Sequence, residues 1–219
     1  LLSRGLGDVY KRQASILTLT KPGAVILAEP MTYPGLRTAA TQFGRHIITV
    51  QADKHGMRPD MLEQACRQHK PGLIYLNPTL QNPTAITMPE RRRKELASIA
   101  RRCNVRIVED DPYWLLADSP PPPIATFFPE QTIYISTLSK CLTPGLRVAF
   151  VLVRDPEERE RFLAALRSFA LMATPLTAAL AAQWILDGSA GKLMEGVRTE
   201  ARLRLSLIHI SEPTRQEAI

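Results

Sequence analysis

Lys140 closes the pentad Ser136-Thr137-Leu138-Ser139-Lys140, and Arg147 follows seven residues later, just past a Pro144-Gly145 pair. A primary amine among three hydroxyls, with a guanidinium turned back toward the same place, can do two things at once. The amine can condense with a carbonyl group, and the hydroxyl and guanidinium donors suit a phosphate. An ordinary lysine on a surface loop has the same local sequence, so the pentad alone leaves both readings open.

Two further stretches carry polar residues that packing does not require. In Asn77-Pro78-Thr79-Leu80-Gln81-Asn82-Pro83-Thr84, each Asn-Pro pair disfavours helix and keeps the backbone extended. Asn82 then either aims its amide into a crevice or makes an Asx-type turn before the next helix. Glu109-Asp110-Asp111-Pro112-Tyr113-Trp114 puts three carboxylates in a row. Such a cluster at a strand end is costly unless something positive meets it. A protonated pyridine nitrogen would meet Asp110, and Tyr113, three residues on, could reach a phenolic oxygen on the same ring. Magnesium is the competing partner, but no nearby histidine or additional carboxylate motif completes a metal site. Taken with Lys140, the pattern calls for pyridoxal phosphate and no metal.

The elements that must position these residues alternate. Short apolar runs at 24–28, 47–50, 73–76, 105–108, 132–135 and 148–153 read as strands, and 34–43, 59–68, 89–102 and 156–169 as helices. Buried strands separated by amphipathic helices predict an α/β fold, a mostly parallel sheet with helices on both faces. Ligands of such sheets collect at the carboxyl ends of the strands, here after Leu76, Val108 and Ile135. Ser119-Pro120-Pro121-Pro122-Pro123 reads as a stiff surface crossing.

Composition narrows the function classes. The chain has 219 residues, 45% hydrophobic and 22% charged, enough for one good core. No apolar run approaches the ~20 residues of a membrane span. Cys66, Cys103 and Cys141 are scattered and odd in number, which suits a reducing cytoplasm better than a disulfide framework. The net charge of +7 invites a nucleic-acid reading. Its densest cluster, Arg91-Arg92-Arg93-Lys94, lies on a helix and reads as a solvated face without aromatic residues for base stacking.

Residues 1–13 and 205–219 resemble translated sequencing-adapter read-through and are set apart as non-native ends, leaving 14–204 as the native part. Within it, Asn82-Pro83-Thr84, Asp110-x-x-Tyr113 and Thr137-x-Ser139-Lys140 with Arg147, in this order, resemble the class I/II aminotransferases of fold type I. The resemblance implies the large domain of such an enzyme, truncated at both ends. It also implies amino-group transfer between an amino acid and a 2-oxo acid through a Lys140 Schiff base, and a homodimer in the full-length protein. Asp110 would pair with the pyridine nitrogen, Asn82 and Tyr113 with the ring's O3′, and Thr137, Ser139 and Arg147 with the phosphate. Tyr33, in Thr32-Tyr33-Pro34-Gly35, falls where the family stacks an aromatic ring on the cofactor.

Some family parts are not matched. Ala85 stands where a glycine commonly follows Asn-Pro-Thr. The glycine-rich phosphate loop falls on the adapter-like residues, and the small C-terminal domain with its substrate-clamping arginine has no counterpart. The polypeptide as written is therefore expected to bind cofactor poorly and not to turn over. The segments 32–35 and 77–84 also resemble MocR-type regulators, in which a GntR-type winged helix precedes an aminotransferase-like sensor domain. On that alternative, DNA is contacted only through an N-terminal domain outside this sequence.

Overall fold

The computed structural model describes residues 2–3, 8–170, 172 and 174–211; the remaining parts of the two expected end segments lie outside the described residues. The strands are β1 (Leu2–Ser3), β2 (Val25–Ala28), β3 (His46–Thr49), β4 (Ala52–Asp53), β5 (Gly56–Met57), β6 (Leu73–Leu76), β7 (Arg106–Asp110), β8 (Thr132–Thr137) and β9 (Ala149–Leu152). The helices are α1 (Asp8–Leu19), α2 (Pro34–Gln42), α3 (Pro59–His69), α4 (Glu90–Cys103), a short α5 (Ile124–Phe127), α6 (Pro156–Phe169), α7 (Pro175–Leu186) and α8 (Ser189–Ser211).

Seven strands form one sheet in the order β1-β9-β8-β7-β6-β2-β3, and β4 and β5 make a separate hairpin. From β3 through β8 all neighbours are parallel, whereas β9 runs antiparallel to both β8 and β1. The expected mostly parallel sheet is what the chain forms. All four residues of β6 are buried, as a strand covered on both faces requires.

One face packs Ile16 of α1, Leu36 of α2 and Phe162 and Leu166 of α6 against Ile26, Tyr75, Val108 and Ile135 of the strands. The other packs Leu62 of α3, Leu96 and Ala100 of α4 and Ile124 of α5 against Leu27, Ile74, Leu76 and Ile107. Adjacent strand residues thus face opposite layers, as the period of two demands. A third cluster seats Ala181 of α7, with Trp184 and Met194 against it, on Leu138, Cys141 and Leu146. The periodicity of the sequence did not announce α1, α5, α7 or α8. The expected segment boundaries at 13/14 and 204/205 lie inside α1 and α8.

The basic cluster on α4 is not a uniformly solvated face. Arg91 and Lys94 are exposed, but Arg93 is 0% exposed. Its guanidinium donates to the carbonyls of Met88 (2.9 Å), Pro78 (3.1 Å) and Pro122 (3.3 Å) and to Thr79 Oγ1 (3.0 Å). One side chain thereby ties the loop after β6, the entry to α4 and the proline run together. Inward carbonyls supplied the partners that a surface reading of four consecutive basic residues leaves out.

Candidate functional site

Register sets the site. Leu76 of β6 pairs with Glu109 of β7, and Asp110 pairs with Ile135 of β8, so these three strands end level with one another. Alternation then separates the three acidic residues. Asp110 shares the α1 side with Val108, whereas Glu109 and Asp111 point to the side of α4 and α5. Glu109 accepts from the backbone N–H groups of Ile124 (2.8 Å) and Ala125 (2.9 Å), and Arg93 Nη1 lies 3.8 Å away. Burial pushes its carboxyl up to about 7, against the lowering effect of those amides and Arg93. Burial and the neighbouring Glu109 likewise hold the Asp111 carboxyl well above the usual carboxylate range. Of the run of three, only Asp110 enters the cleft.

That cleft, about 170 Å³, is lined by Tyr33, Asn82, Asp110, Tyr113, Ser139, Lys140 and Arg147. The structure thus brings together every expected site residue except Thr137, which is not among the lining residues. Thr137 is 1% exposed; its Oγ1 donates to the Val148 carbonyl (3.0 Å), lies 3.1 Å from Ser139 Oγ and accepts from the Ser139 N–H (3.1 Å). It braces Ser139 from behind. Lys140 and Arg147 are both exposed along the cleft, one on each limb of the loop between β8 and β9. Arg147 holds φ +51°, a left-handed conformation that a non-glycine residue adopts at a cost of about 1 kcal/mol. A Cβ at Gly35 would collide with the Tyr33 ring, so glycine is what lets that ring fold back over the start of α2.

Sequence reasoning missed three residues here. Asn77 donates to the Asp110 carbonyl (2.6 Å) and accepts from the Asn82 N–H (2.8 Å), which fixes Asn82 to the end of β7. Tyr75 donates to Asp110 Oδ2 from within the core. Tyr75 was visible only as a strand residue and Asn77 only as half of an Asn-Pro pair, and the Asp110 they share as partner lies 35 and 33 residues away in the chain. Arg12 Nη1 also reaches Asp110 Oδ2, at 2.6 Å, from a segment set aside as an end. Asp110 Oδ1 is buried and has no hydrogen-bond partner among the described residues. Ala85 holds φ +58°. A glycine would adopt that angle without strain, so the alanine at this mismatch carries a conformational cost that a glycine avoids.

A family pattern for class I and II aminotransferases matches residues 7–205. The chain belongs to that family. Among relatives of these aminotransferases, an uncharacterised HTH-type transcriptional regulator of Bacillus subtilis, YdeF, is 35% identical over 196 residues, 90% of this chain and 42% of that protein. The 2-aminoadipate transaminase of Thermus thermophilus is 30% identical over 193 residues, 85% of this chain and 48% of the enzyme. The kynurenine aminotransferase of Pyrococcus horikoshii, solved in complex with PMP, superposes with a TM-score of 0.86 at 26% identity, over 96% of this chain and 54% of that one. This member of the class I and II aminotransferases spans about half the length, or less, of these relatives. Among its described residues no helix is long and apolar enough to cross a membrane, and no cluster of His, Cys, Asp or Glu could hold a metal ion.

A second cavity, about 250 Å³, lies beyond Asn77, which lines both spaces, and contains Glu29 with Met31, Ile86 and Met88. Burial pushes the Glu29 carboxyl up to about 7, against the lowering effect of the Met57 amide. The folded chain therefore keeps a proton that the unfolded chain loses above its ordinary carboxyl pKa of 4.5. Stability from this group is full below that value, declines as pH rises toward 7, and the loss is at most ~3 kcal/mol. Urea unfolding of Glu29→Gln should show a smaller drop between pH 4.5 and 8 than the unchanged chain. Equal drops would mean that Glu29 titrates alike in both states.

Proposed function

We propose that this chain is the cofactor-binding part of a pyridoxal-phosphate-dependent aminotransferase, which moves an amino group between an amino acid and a 2-oxo acid. The observation that carries the reading is the convergence of Lys140, Asp110, Tyr33 and Arg147 on one cleft at the carboxyl ends of the strands. The donor set fits the cofactor: a buried carboxylate oxygen with no partner among the described residues, an accessible amine, and hydroxyl and guanidinium groups on the same loop. When bound, pyridoxal phosphate supplies an aldehyde that captures amines and a ring that draws electron density from the substrate.

The chain's own residues do the rest. Lys140 Nζ would hold the aldehyde carbon and, once displaced by substrate, move the proton at the substrate's alpha carbon. Asp110 would keep the ring nitrogen protonated through Oδ1, with Tyr75 steadying Oδ2. Asn82, tethered by Asn77, and Tyr113 would hold the ring oxygen. Ser139 and Arg147 would bind the phosphate, with Thr137 fixing Ser139. A homodimeric parent protein in the cytoplasm is part of the same reading.

The test is reduction with borohydride after incubation with pyridoxal phosphate, followed by peptide mapping. Label confined to Lys140, even at low yield, is the expected result, and labels spread over surface lysines would sink the assignment. The regulator YdeF, matched over 90% of this chain, favours a second reading, in which the same cleft senses the cofactor for a DNA-binding partner domain. The parent gene decides between them: ~100 residues with a helix-turn-helix pattern upstream of the match would identify a regulator.

A further inference from the structure

Glu29 stands one residue past the end of β2 and is 6% exposed. Leu27 packs in the layer of α3 and α4 and Ala28 in the opposite one, so alternation turns Glu29 back toward α3 and α4. There it lines the cavity of about 250 Å³, whose apolar walls include Met31, Ile86 and Met88. A buried carboxyl is costly to charge unless a cation meets it. For Glu29 the group that opposes burial is the Met57 amide, and no cation among the described residues does so.

The other polar groups at this wall are already committed. Arg92 donates to both oxygens of Asp53, at 3.1 and 3.0 Å. Asn77 bonds the Asp110 carbonyl and the Asn82 N–H, and Gln81 bonds the Met31 carbonyl and Thr84. Among the described residues that line the cavity there is no lysine, arginine or histidine. An apolar space with one unmet acid is complementary to a hydrocarbon carrying a positive charge. A cavity of about 150 Å³ holds benzene, so this larger one has room for such a ring with a short carbon arm.

We propose that this cavity binds a small primary amine with an apolar body and no carboxylate, its ammonium on Glu29 and its hydrocarbon against Met31, Ile86 and Met88. A carboxylate on the same ligand would share a poorly solvated space with Glu29 and Asp53, so the site favours an amine over the corresponding amino acid. This inference goes beyond the function proposed above and does not rest on it, because Lys140 lines the other cleft.

The experiment measures binding of 2-phenylethylamine by calorimetry at pH 8, with no pyridoxal phosphate added, on the unchanged chain, Glu29→Gln and Ile86→Trp. At that pH a carboxyl with a pKa of about 7 is ionised and the amine is still charged. Glu29→Gln keeps the shape and removes the charge, and should bind about 10- to 100-fold more weakly. Ile86→Trp fills the cavity and keeps the charge, and should lose binding at least as far; thermal midpoints report folding of each variant. A comparison on the unchanged chain needs no substitution. There 3-phenylpropionate, similar in size but opposite in charge, and phenylalanine should each bind at least about 10-fold more weakly than the amine. Equal binding of the acid would make Glu29 a protonated donor to anions and overturns the proposal. Amine binding that survives either substitution in a folded chain lies elsewhere and overturns it too. So does the lack of any amine binding at millimolar concentration.

Discussion

Lys140→Ala is expected to abolish borohydride-fixed labelling by pyridoxal phosphate while leaving the fold unchanged. Lys140 is exposed and lies on the loop after β8, so truncation opens no cavity and strands no buried partner. Stability should stay within about 0.5 kcal/mol of the unchanged chain, as for other surface substitutions. The label depends on a different property, an unprotonated primary amine within reach of the cleft. Lys140→Arg separates the two, because arginine keeps the charge but does not give up its proton near neutrality. Both variants should lose the visible band of a lysine-bound cofactor. If arginine kept the band, charge and not nucleophilicity would explain binding. If alanine kept it, another lysine would be the anchor.

The second large effect should appear in stability. Arg93→Ala removes a fully buried guanidinium that four oxygens surround at 2.9–3.3 Å, with the Glu109 carboxylate farther off at 3.8 Å. The carbonyls therefore hold Arg93 more firmly than the acid does. Truncation leaves interior acceptors unpaired, a void, and a carboxylate with only the Ile124 and Ala125 amides. Removing one partner from such an arrangement costs ~3–5 kcal/mol, a large share of the 5–15 kcal/mol that holds a typical domain together. Urea unfolding should show a loss of that size. Arg93→Lys should recover less than half, since an ammonium cannot reach four acceptors spread around a flat fork. A loss below ~1 kcal/mol would mean that water enters and satisfies the carbonyls.

These two positions also mark how far the sequence could be read. Lys140, Asp110 and Arg147 were legible because reactive or charged residues beside apolar strand runs have few structural uses. The sheet was legible for a related reason: β6 is short and apolar, β7 opens on the run around Ile107 and Val108, and a helix with an evident stripe separates them. Arg93 was not legible, because its neighbours Arg91, Arg92 and Lys94 share its type and its partners are backbone carbonyls of distant loops. The same holds for Asn77 and Tyr75, whose bonds to Asp110 depend on strand register. Thr137 was expected at the phosphate but lies behind Ser139, since only the fold shows which hydroxyl of the loop faces the cleft and which faces Val148. Arg12 was hidden because residues 1–13 carry no clear period and resemble adapter read-through.

The direction of β9 has an effect on what this loop can do. Arg147 sits just ahead of β9, and Lys140 just after β8. Had β9 run parallel to β8, its first residue would stand at the opposite end of the strands, reached by a crossover of a dozen or more residues. Six residues of β8 span roughly 20 Å, so the guanidinium would be about that far from the amine. By turning back, the chain makes the spacing between the two groups a property of one short loop, whose only helical part is the single 3-10 turn Pro144–Leu146. Insertions or deletions there could retune the cleft for a longer or shorter bound molecule while every ladder of the sheet stayed as it is.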